Sequence, residues 1–318
     1  MHLIDVVSKF KTEDECLDYL IKVRFPFGVC CIKCGMENVQ EMRIAASIRK
    51  NGKFIPARRL FRCMNETRCK GYQFSAKTGT IFDKSHLPLT KWFMAIGLIT
   101  AAKKGMSALQ VARHLDMEGS YKTVWYLCHR IREAMKEGGI LTGIVEADET
   151  YLAPKKPRKG RPYVKKDTTD MVLGMRERGG KLRLIPIKDS KMNTIEPELV
   201  KHISPEATLM TDEHATYFII GKRGLFKRHL TINHQSAYVV GDIHTNTVEN
   251  AFSLLKKGIY GTFHKVSIKH LGRYCNEFSY RFNRRGEQAA MFGATVKELV
   301  RGKALRFKTL IASETENP

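Results

Sequence analysis

Two cysteine pairs constrain what this chain can fold into more than any other feature of its sequence. Cys31 and Cys34 form a C-x-x-C pair, and Cys63 and Cys69 follow after an insert of hairpin length. Structural zinc takes four thiolate or imidazole ligands in a tetrahedron, so two such pairs can close around one ion. The pattern predicts a small zinc-held sheet near the N-terminus.

The other cysteines leave competing interpretations of this segment. Cys30 adjoins Cys31 and could replace it as a ligand, but Gly35 after Cys34 suits the tight knuckle turn better when Cys31 binds. Asn51-Gly52, in the insert, predicts a type I′ hairpin turn. Free buried thiols are the alternative to zinc, and they are the expected state of the cysteines that stand alone in helical patterns. These are Cys16, Cys128 and Cys275.

The charge of the chain is strongly positive. Among 318 residues, 55 Lys and Arg against 32 Asp and Glu give a formal net charge of +23. Such an excess attracts polyanions, most commonly nucleic acid, although an anionic membrane surface would also attract it. No apolar run reaches the roughly 18 residues that a membrane-spanning helix needs, and the N-terminus lacks the layout of a signal peptide. We therefore expect an intracellular, cytoplasmic protein with a polyanionic partner.

Residues 88 to 137 have the pattern of a helical module. Ser107 and Gln110 form a capping-box signature, and Gly119 marks a turn between two runs of apolar residues at helical spacing. This length and break are those of a helix-turn-helix, although any two short helices produce a similar pattern. Four polar residues fall off the apolar stripe of the second run and are predicted to face DNA. They are Tyr121, Lys122, His129 and Arg130.

After Gly138-Gly139 the pattern changes to short β-like runs mixed with helical ones, which predicts an α/β region. The basic stretch 155–166 between the first two runs is too polar and proline-broken for a core element. The β-like runs are GIVEADETYL, DMVLGMRERG, KLRLIPIKD and ATLMTDEH.

Two aspartates stand at or near the ends of predicted strands in this region. Asp148 is flanked by Glu146 and Glu149, and Asp212 follows an apolar run. Either aspartate alone is more typical of a turn or cap. Together with an acid on a later helix, in so basic a chain, they form a layout that holds two divalent cations roughly 4 Å apart for phosphodiester chemistry.

The later acid is expected in HTNTVENAFSLLKKGIYG, residues 244–261. On a helical wheel, Glu249 and Lys256 flank the apolar stripe, whereas Asn250 and Lys257 point nearly opposite it. Periodicity thus favours Glu249 as a metal ligand and Lys256 as a phosphate contact. A solvated ion pair without a catalytic role is the alternative.

Taken in order, these stretches resemble a known family, and the resemblance covers nearly the whole chain. The family is that of bacterial insertion-sequence transposases with an N-terminal zinc ribbon and a DDE-type, RNase H-like catalytic domain, relatives of the Merlin transposons. Ile32 stands where the family usually has proline, and the spacing from Cys63 to Cys69 is longer than the commonest one. The matching stretches are FPFGVCCIKCG, GYQFSAKTGTIFDKSHLPLTKWF, KGMSALQVARHL, YKTVWYLCHRIREAM, VEADETYL, TDEHATY, INHQ, HTNTVENAFSLLKKGIYGTFHKVS and YCNEFSYRFNRR.

The resemblance implies an α/β, RNase H-like domain, a mixed sheet with flanking helices, preceded by a zinc ribbon and a helix-turn-helix. The expected segments are a zinc ribbon at 1–82, a helix-turn-helix at 83–138, the catalytic domain at 139–300 and a tail at 301–318. Asp148 and Asp212 match the first two catalytic aspartates. The third position falls on either Glu249 or Asn250, because family members use either residue type.

The resemblance also implies cofactors and partners. Two Mg²⁺ ions, with Mn²⁺ as an alternative, would be held by Asp148, Asp212 and Glu249, and structural zinc by the four cysteines of the two pairs. The enzyme would bind the terminal inverted repeats of its own element as double-stranded DNA at the nucleoid. Metal-activated water would free the 3′ ends, whose hydroxyls then attack target DNA, and joining two ends requires at least a dimer.

Further DNA contacts are predicted along the C-terminal half. In YCNEFSYRFNRR the aromatic positions are predicted to be core and the arginines to reach DNA. His214, His234 and His244 lie near the motif residues, and they either contact the acidic ligands or a phosphate or are ordinary surface or capping histidines. The predicted DNA-binding residues are Lys122, Arg130, Lys257, Arg281, Arg284 and Arg285.

Two other functions fit part of this pattern. A nuclease of the same fold, such as a junction resolvase, would cut DNA without joining it, but it has little use for a zinc ribbon and helix-turn-helix. A DNA-binding protein whose α/β region has lost its catalytic activity is the alternative from a different class.

Overall fold

The computed structural model describes residues 1–48, 52, 54–55, 57–152, 171–232 and 244–312. Three sequence predictions concern residues outside these ranges, namely the turn at Asn51, the basic stretch 155–166 and the role of His234. Packing divides the chain into two compact units. The first comprises Met1–Ala101, Val111–Ala134 and Gln288–Pro318, and the second comprises Ala102–Gln110 and Met135–Glu287.

A three-stranded antiparallel sheet in the first unit lies between and beside the cysteine pairs, and Cys63 ends one of its strands. Its strand order is β1-β4-β5, and a two-stranded ladder of β2 and β3 lies in the insert between the pairs. Phe25, Phe61 and Phe74 pack around the buried cysteines. The strands are β1 (Val39–Ile44), β2 (Ser47–Ile48), β3 (Phe54–Ile55), β4 (Arg58–Cys63) and β5 (Gln73–Phe74).

Helices make up the rest of the first unit. Phe10, Tyr19, Phe93 and Phe292 form an aromatic cluster, with the rings of Phe10 and Phe93 4.8 Å apart between centroids. Cluster residues come from both ends of the chain, so the C-terminal helices pack with the N-terminal ones. The helices are α1 (Leu3–Lys9), α2 (Glu13–Arg24), α3 (Glu66–Cys69), α4 (Leu89–Ala101), α6 (Tyr121–Ala134), α11 (Gln288–Arg301) and α12 (Phe307–Ile311).

Two helices joined by a turn lie where the helix-turn-helix is predicted. Helix α5 (Ala108–His114) begins after Ser107, whose hydroxyl oxygen accepts a hydrogen bond from the backbone N–H of Gln110 at 3.2 Å. A 3₁₀ turn at Glu118–Ser120 leads into α6. The apolar residues at helical spacing in α5 are buried, as predicted.

The second unit is built on a five-stranded mixed sheet of order β10-β9-β6-β7-β8. Strand β6 is central, parallel to β9 and antiparallel to β7, and β10 is parallel to β9 at one edge. This arrangement confirms the predicted α/β, RNase H-like architecture. The strands are β6 (Ile144–Tyr151), β7 (Met171–Glu177), β8 (Leu182–Ile187), β9 (Thr208–Asp212) and β10 (Arg228–Ile232).

Helices cover both faces of this sheet. Alternate apolar residues of β6, β7 and β9 form one core with two of the helices. On the other face, Val172 of β7 with Leu182 and Leu184 of β8 form a second core with the other two helices. The first face carries α7 (Met192–His202) and α8 (Ala215–Lys222), and the second carries α9 (Asn246–Gly258) and α10 (Ile268–Asn283). No described helix is both long and apolar enough to cross a membrane.

The four segments predicted from the sequence differ from these units in where they end. Helix α11 packs with α2, α4 and α6, all of the first unit, although it lies within the predicted segment 139–300. The two units are defined by packing, whereas the four predicted segments are defined by function. The four-segment division therefore stays a prediction.

Candidate active site

The register of two parallel strands brings Asp148 and Asp212 side by side. The ladder between β6 and β9 pairs Val145 with Leu209 and Glu146 with Met210. Continuing that register by two residues places Asp148 opposite Asp212, at the carboxyl end of β9. The charge of Asp212 acts on Asp148, which agrees with this placement of the two carboxylates.

Alternation along β6 separates Asp148 from its acidic neighbour. Ala147 belongs to the core under α7 and α8, and Glu149 points to that same face, where its carboxylate accepts a hydrogen bond from the Tyr217 hydroxyl at 2.5 Å. Asp148 therefore lies on the opposite face, which α9 covers. By the same alternation, Asp212 shares that face, because Leu209 packs under α7 and α8.

A glycine lets α9 lie directly against this part of the sheet. Gly174 is the residue of β7 paired with Asp148. A Cβ atom at Gly174 would lie 2.6 Å from the ring of Phe252 and 2.7 Å from Val248, both on α9. Since no side chain intervenes, the helix approaches the sheet beside Asp148.

The same helix carries the residues considered for the third acid. Glu249 is half-buried, and its carboxylate accepts a hydrogen bond from the Thr245 hydroxyl at 3.0 Å. Asn250 is exposed, as the wheel predicts for a residue opposite the apolar stripe. Lys256 is half-buried and Lys257 exposed. The geometry agrees with the preference for Glu249, while its catalytic role stays a prediction.

Electrostatics mark Asp148 as the centre of this acidic group. Burial raises the pKa of Asp148 from 3.8 to about 7. A hydrogen bond from the Glu149 backbone N–H, at 2.7 Å, lowers that pKa, whereas the charges of Glu149, Asp212 and Glu249 raise it further. Half-buried carboxylates that repel one another are chemically suited to divalent cations, which prefer oxygen ligands. The residues present therefore have the oxygen-donor chemistry that Mg²⁺ binding requires, and the Mg²⁺ site itself stays a prediction.

Glu146 links strand β6 to helix α9, a contact that its position in the sequence did not reveal. Its carboxylate is fully buried and accepts hydrogen bonds from the backbone N–H groups of Thr247 and Val248 on α9. Alternation along the strand could have placed Glu146 on the same face as Asp148. Its partners on α9 lie too far away in the sequence for any local pattern to indicate them.

The four predicted zinc ligands do converge. Among the described residues, one sulfur atom from each of Cys31, Cys34, Cys63 and Cys69 lies within 4.8 Å of all the others. The Cys31–Cys69 and Cys34–Cys63 sulfur separations are 3.8 and 3.7 Å. A tetrahedron with Zn–S bonds of about 2.3 Å has sulfurs about 3.8 Å apart, so the cluster fits zinc. The cluster contains Cys31 rather than Cys30, which agrees with the choice made from the sequence.

The structure corrects the prediction that Arg130 and His129 face outward from α6. Arg130 is 4% exposed, and its guanidinium donates to the backbone carbonyls of Ile81 and Asp83 and lies over the Trp92 ring. His129 is fully buried. Other parts of the chain bury residues of α6 that lie outside its apolar stripe. The helical periodicity of α6 alone does not reveal this burial. Lys122 and Tyr121 are exposed.

A second correction concerns the arginines at the end of α10. Arg281 is 7% exposed and donates to the carbonyls of Ala102 and Lys103, so it is a core residue rather than a DNA contact. Arg284 is half-buried and forms an ion pair with Glu137. Arg285 is exposed, and its contact with DNA stays a prediction. The predicted core positions of the aromatic residues are confirmed for Tyr274 and Phe278, which are buried, and Phe282, which is partly buried.

The two described histidines of the predicted set lie at helix starts. His214 is exposed and its ring nitrogen accepts a hydrogen bond from the Thr216 backbone N–H at 3.4 Å, which is an ordinary cap of α8. His244 lies just before α9, with Nδ1 3.2 Å from the carboxylate of Glu146.

Comparison with known proteins assigns the chain to a family. Residues 140–283 match the ISXO2-like transposase domain, and residues 11–71 match the transposase zinc-ribbon domain. The chain is 27% identical over 302 residues to the "Uncharacterized protein in transposable element ISH50" of Halobacterium salinarum, covering 89% of this chain and 96% of that protein.

One solved structure also aligns with the chain. It is the "CryoEM structure of simian T-cell lymphotropic virus intasome in complex with PP2A regulatory subunit B56 gamma", matched at 12% identity over 70% of this chain and 73% of that chain. The TM-score of 0.27 is too low to support any statement about this protein. The two domain matches together span more than half of the chain, in the predicted order. The chain therefore belongs to the family of insertion-sequence transposases that join a zinc ribbon to an ISXO2-like transposase domain.

Proposed function

We propose that the protein binds the terminal inverted repeats of its insertion sequence, cleaves the 3′ ends and transfers them into target DNA. The observation that carries this proposal is the juxtaposition of Asp148 and Asp212 on the sheet face covered by α9, with Glu249 close enough for its charge to act on Asp148. That constellation lies within the match to the transposase domain.

Each residue of the site has a separate task in this proposal. Two divalent cations, Mg²⁺ or Mn²⁺, would when bound activate a water molecule and neutralise phosphate charge. Asp148 and Asp212 provide ligands from the sheet, and Glu249 provides one from the helix. Lys256, on the same side of α9 as Glu249, contacts the phosphate beside the scissile bond. No covalent link between protein and DNA forms.

The DNA partner is supported by the net charge and by the exposed cations. Lys122, Lys257 and Arg285 are exposed and can reach DNA phosphates. The zinc ribbon and the helix-turn-helix jointly read the transposon ends. Because two ends join one target, the active species on chromosomal DNA is at least a dimer.

The test is a cleavage and strand-transfer assay with Mg²⁺ on DNA that carries the element's own ends. Asp148→Asn, Asp212→Asn and Glu249→Gln should keep end binding and lose both reactions. Glu213→Gln removes an exposed acid next to Asp212 and is the matched control, which should remain active. Loss of activity in Asn250→Ala with activity retained in Glu249→Gln would transfer the third role to Asn250.

Two outcomes would refute the proposal. Cleavage without joining would indicate a nuclease of the same fold. End binding without cleavage under any metal condition would indicate a DNA-binding protein that has lost its catalytic activity.

A further inference from the structure

The buried carboxylate of Glu146 connects the strand of the first acid to the helix of the third. One oxygen accepts hydrogen bonds from the Thr247 backbone N–H at 3.0 Å, the Thr247 hydroxyl at 2.6 Å and the Val248 backbone N–H at 3.2 Å. The other accepts from Nε of Arg178 at 2.8 Å and lies 3.2 Å from Nδ1 of His244. The side chain is 0% exposed.

This carboxylate replaces the usual cap of helix α9. The N-cap residue, Thr245, makes no side-chain hydrogen bond to the helix backbone, and its hydroxyl donates to Glu249 instead. The first N–H groups of a helix need acceptors, and a negative charge there complements the helix dipole. Glu146 meets both needs from a neighbouring strand. The hydrogen bonds and the Arg178 cation offset the cost of burying its charge.

The position of Glu146 relates it to both acids. It lies two residues before Asp148 on the same face of β6, and its partner Thr247 lies two residues before Glu249. The contact of Gly174 with α9 fixes how closely the helix approaches the sheet. The cap fixes where along the sheet the first turn of the helix begins. Together these contacts determine the separation of Asp148 and Glu249.

We propose that Glu146 is a positioning residue that holds Glu249 at the distance from Asp148 needed to share divalent cations. This inference rests on the proposed function. The described donors to Glu146 are Thr247 and Val248 of α9 and Arg178, so Glu146 acts through the helix rather than on DNA. A substitution at Glu146 should therefore weaken cation binding without removing a ligand.

Glu146→Gln tests the proposal, because it keeps the size of the side chain but turns one acceptor into a donor that faces other donors. Glu277→Gln is the matched control, since Glu277 is also 0% exposed, lies in the same unit and pairs with Arg281 at 3.2 Å. Mn²⁺ affinity is measured by titration of the zinc-loaded full-length protein. Hydrogen exchange of the α9 amides is measured without added divalent cation.

For Glu146→Gln we expect Mn²⁺ affinity to fall roughly 10- to 100-fold, as for residues that orient metal ligands. Exchange in the first turn of α9 should rise about tenfold while exchange in β8 stays unchanged. Glu277→Gln should leave both measurements at α9 as in the wild type. If Glu146→Gln changed global stability alone, with Mn²⁺ affinity and α9 exchange unchanged, Glu146 would be only a folding residue and the proposal would be wrong.

A milder pair of variants serves if Glu146→Gln does not fold. Thr247→Val removes the hydroxyl that donates to Glu146, and Thr247→Ser keeps it. The valine variant should weaken Mn²⁺ binding about three- to tenfold and the serine variant should not. Equal affinities in the two would overturn the proposal. If the wild-type protein binds no Mn²⁺, the proposed function fails, and the exchange measurement alone decides whether Glu146 holds α9.

Discussion

Asp148→Asn should make the protein more stable at neutral pH while abolishing its activity. Burial, and then the charges of Glu149, Asp212 and Glu249, raise the pKa of Asp148 to about 7 against an opposing backbone hydrogen bond. The folded chain therefore keeps the Asp148 proton at pH values where the unfolded chain has released it. The free energy of unfolding falls as pH rises from about 4 to about 7, and the full cost remains above pH 7. Asparagine has no such cost.

The magnitude follows from the two pKa values. At about 1.4 kcal/mol for each pH unit, the interval from 3.8 to about 7 sets an upper limit of about 4 kcal/mol. The side chain is half-buried, so solvent reduces this cost, and we expect Asp148→Asn to gain about 1–3 kcal/mol at pH 7.5. The gain should shrink as pH falls towards 4 and vanish well below pH 4, where wild-type Asp148 is protonated in both states. Added Mg²⁺ should stabilise the wild type more than the variant.

The assay must report on the second unit, because both tryptophans, Trp92 and Trp125, lie in the first. Urea-dependent hydrogen exchange of peptides from β6 and β7, at pH 4.5 and 7.5 with zinc retained, meets this need. Asp189→Asn is the control, since hydrogen bonds hold the pKa of Asp189 low and its loss should not stabilise the protein at neutral pH. A variant of Asp148 less stable than wild type at pH 7.5, or equally stabilised at both pH values, would refute the reasoning.

Three further predictions concern other parts of the chain. The Cys63→Ser variant should lose bound zinc, measured by mass spectrometry of the metal, whereas the control Cys128→Ser should keep it. Zinc retained in both variants would contradict zinc binding by the four-cysteine cluster. Gly174→Ala should cost about 1–3 kcal/mol of stability in urea denaturation and reduce cleavage, because its Cβ would meet the α9 ring at 2.6 Å. Gly138→Ala, with no neighbouring atom within 4 Å of the added Cβ, should change neither property. Arg285→Ala should make the slope of log K against log salt for end binding shallower by the contribution of about one phosphate contact. An unchanged slope would exclude that contact.

Local sequence patterns were sufficient wherever a single turn, helix or strand determines where a residue lies. The glycine after Cys34 distinguished Cys31 from Cys30, because a knuckle turn is fixed by a few consecutive residues. Periodicity placed Glu249 on the flank of α9 and Asn250 on its exposed side, because the helix has one buried stripe. Apolar alternation located β6 and β9.

Patterns failed where a side chain finds its partner in a distant segment. Arg130 was placed off the apolar stripe of its helix, and Arg281 was left to DNA by assigning the aromatic residues around it to the core. Both guanidinium groups are instead buried against backbone carbonyl oxygens far away in sequence. Arginine can be buried when each donor finds an acceptor, and the acceptors are backbone atoms that no sequence pattern identifies. Glu146 escaped notice for the same reason, since its donors on α9 lie about a hundred residues later.

Two acids on one face of β6 show how stability is distributed around the site. Glu146 is surrounded by donors and a guanidinium, so its charge is satisfied within the protein itself. Asp148, two residues further, receives one backbone hydrogen bond among the described residues and is repelled by three other carboxylates. The repulsion at Asp148 contributes nothing to the stability of the fold, unlike the hydrogen-bonded charge of Glu146 on the same strand. Because a divalent cation would turn the repulsion at Asp148 into attraction while leaving the cap at Glu146 intact, the pairing is what a preassembled metal site requires.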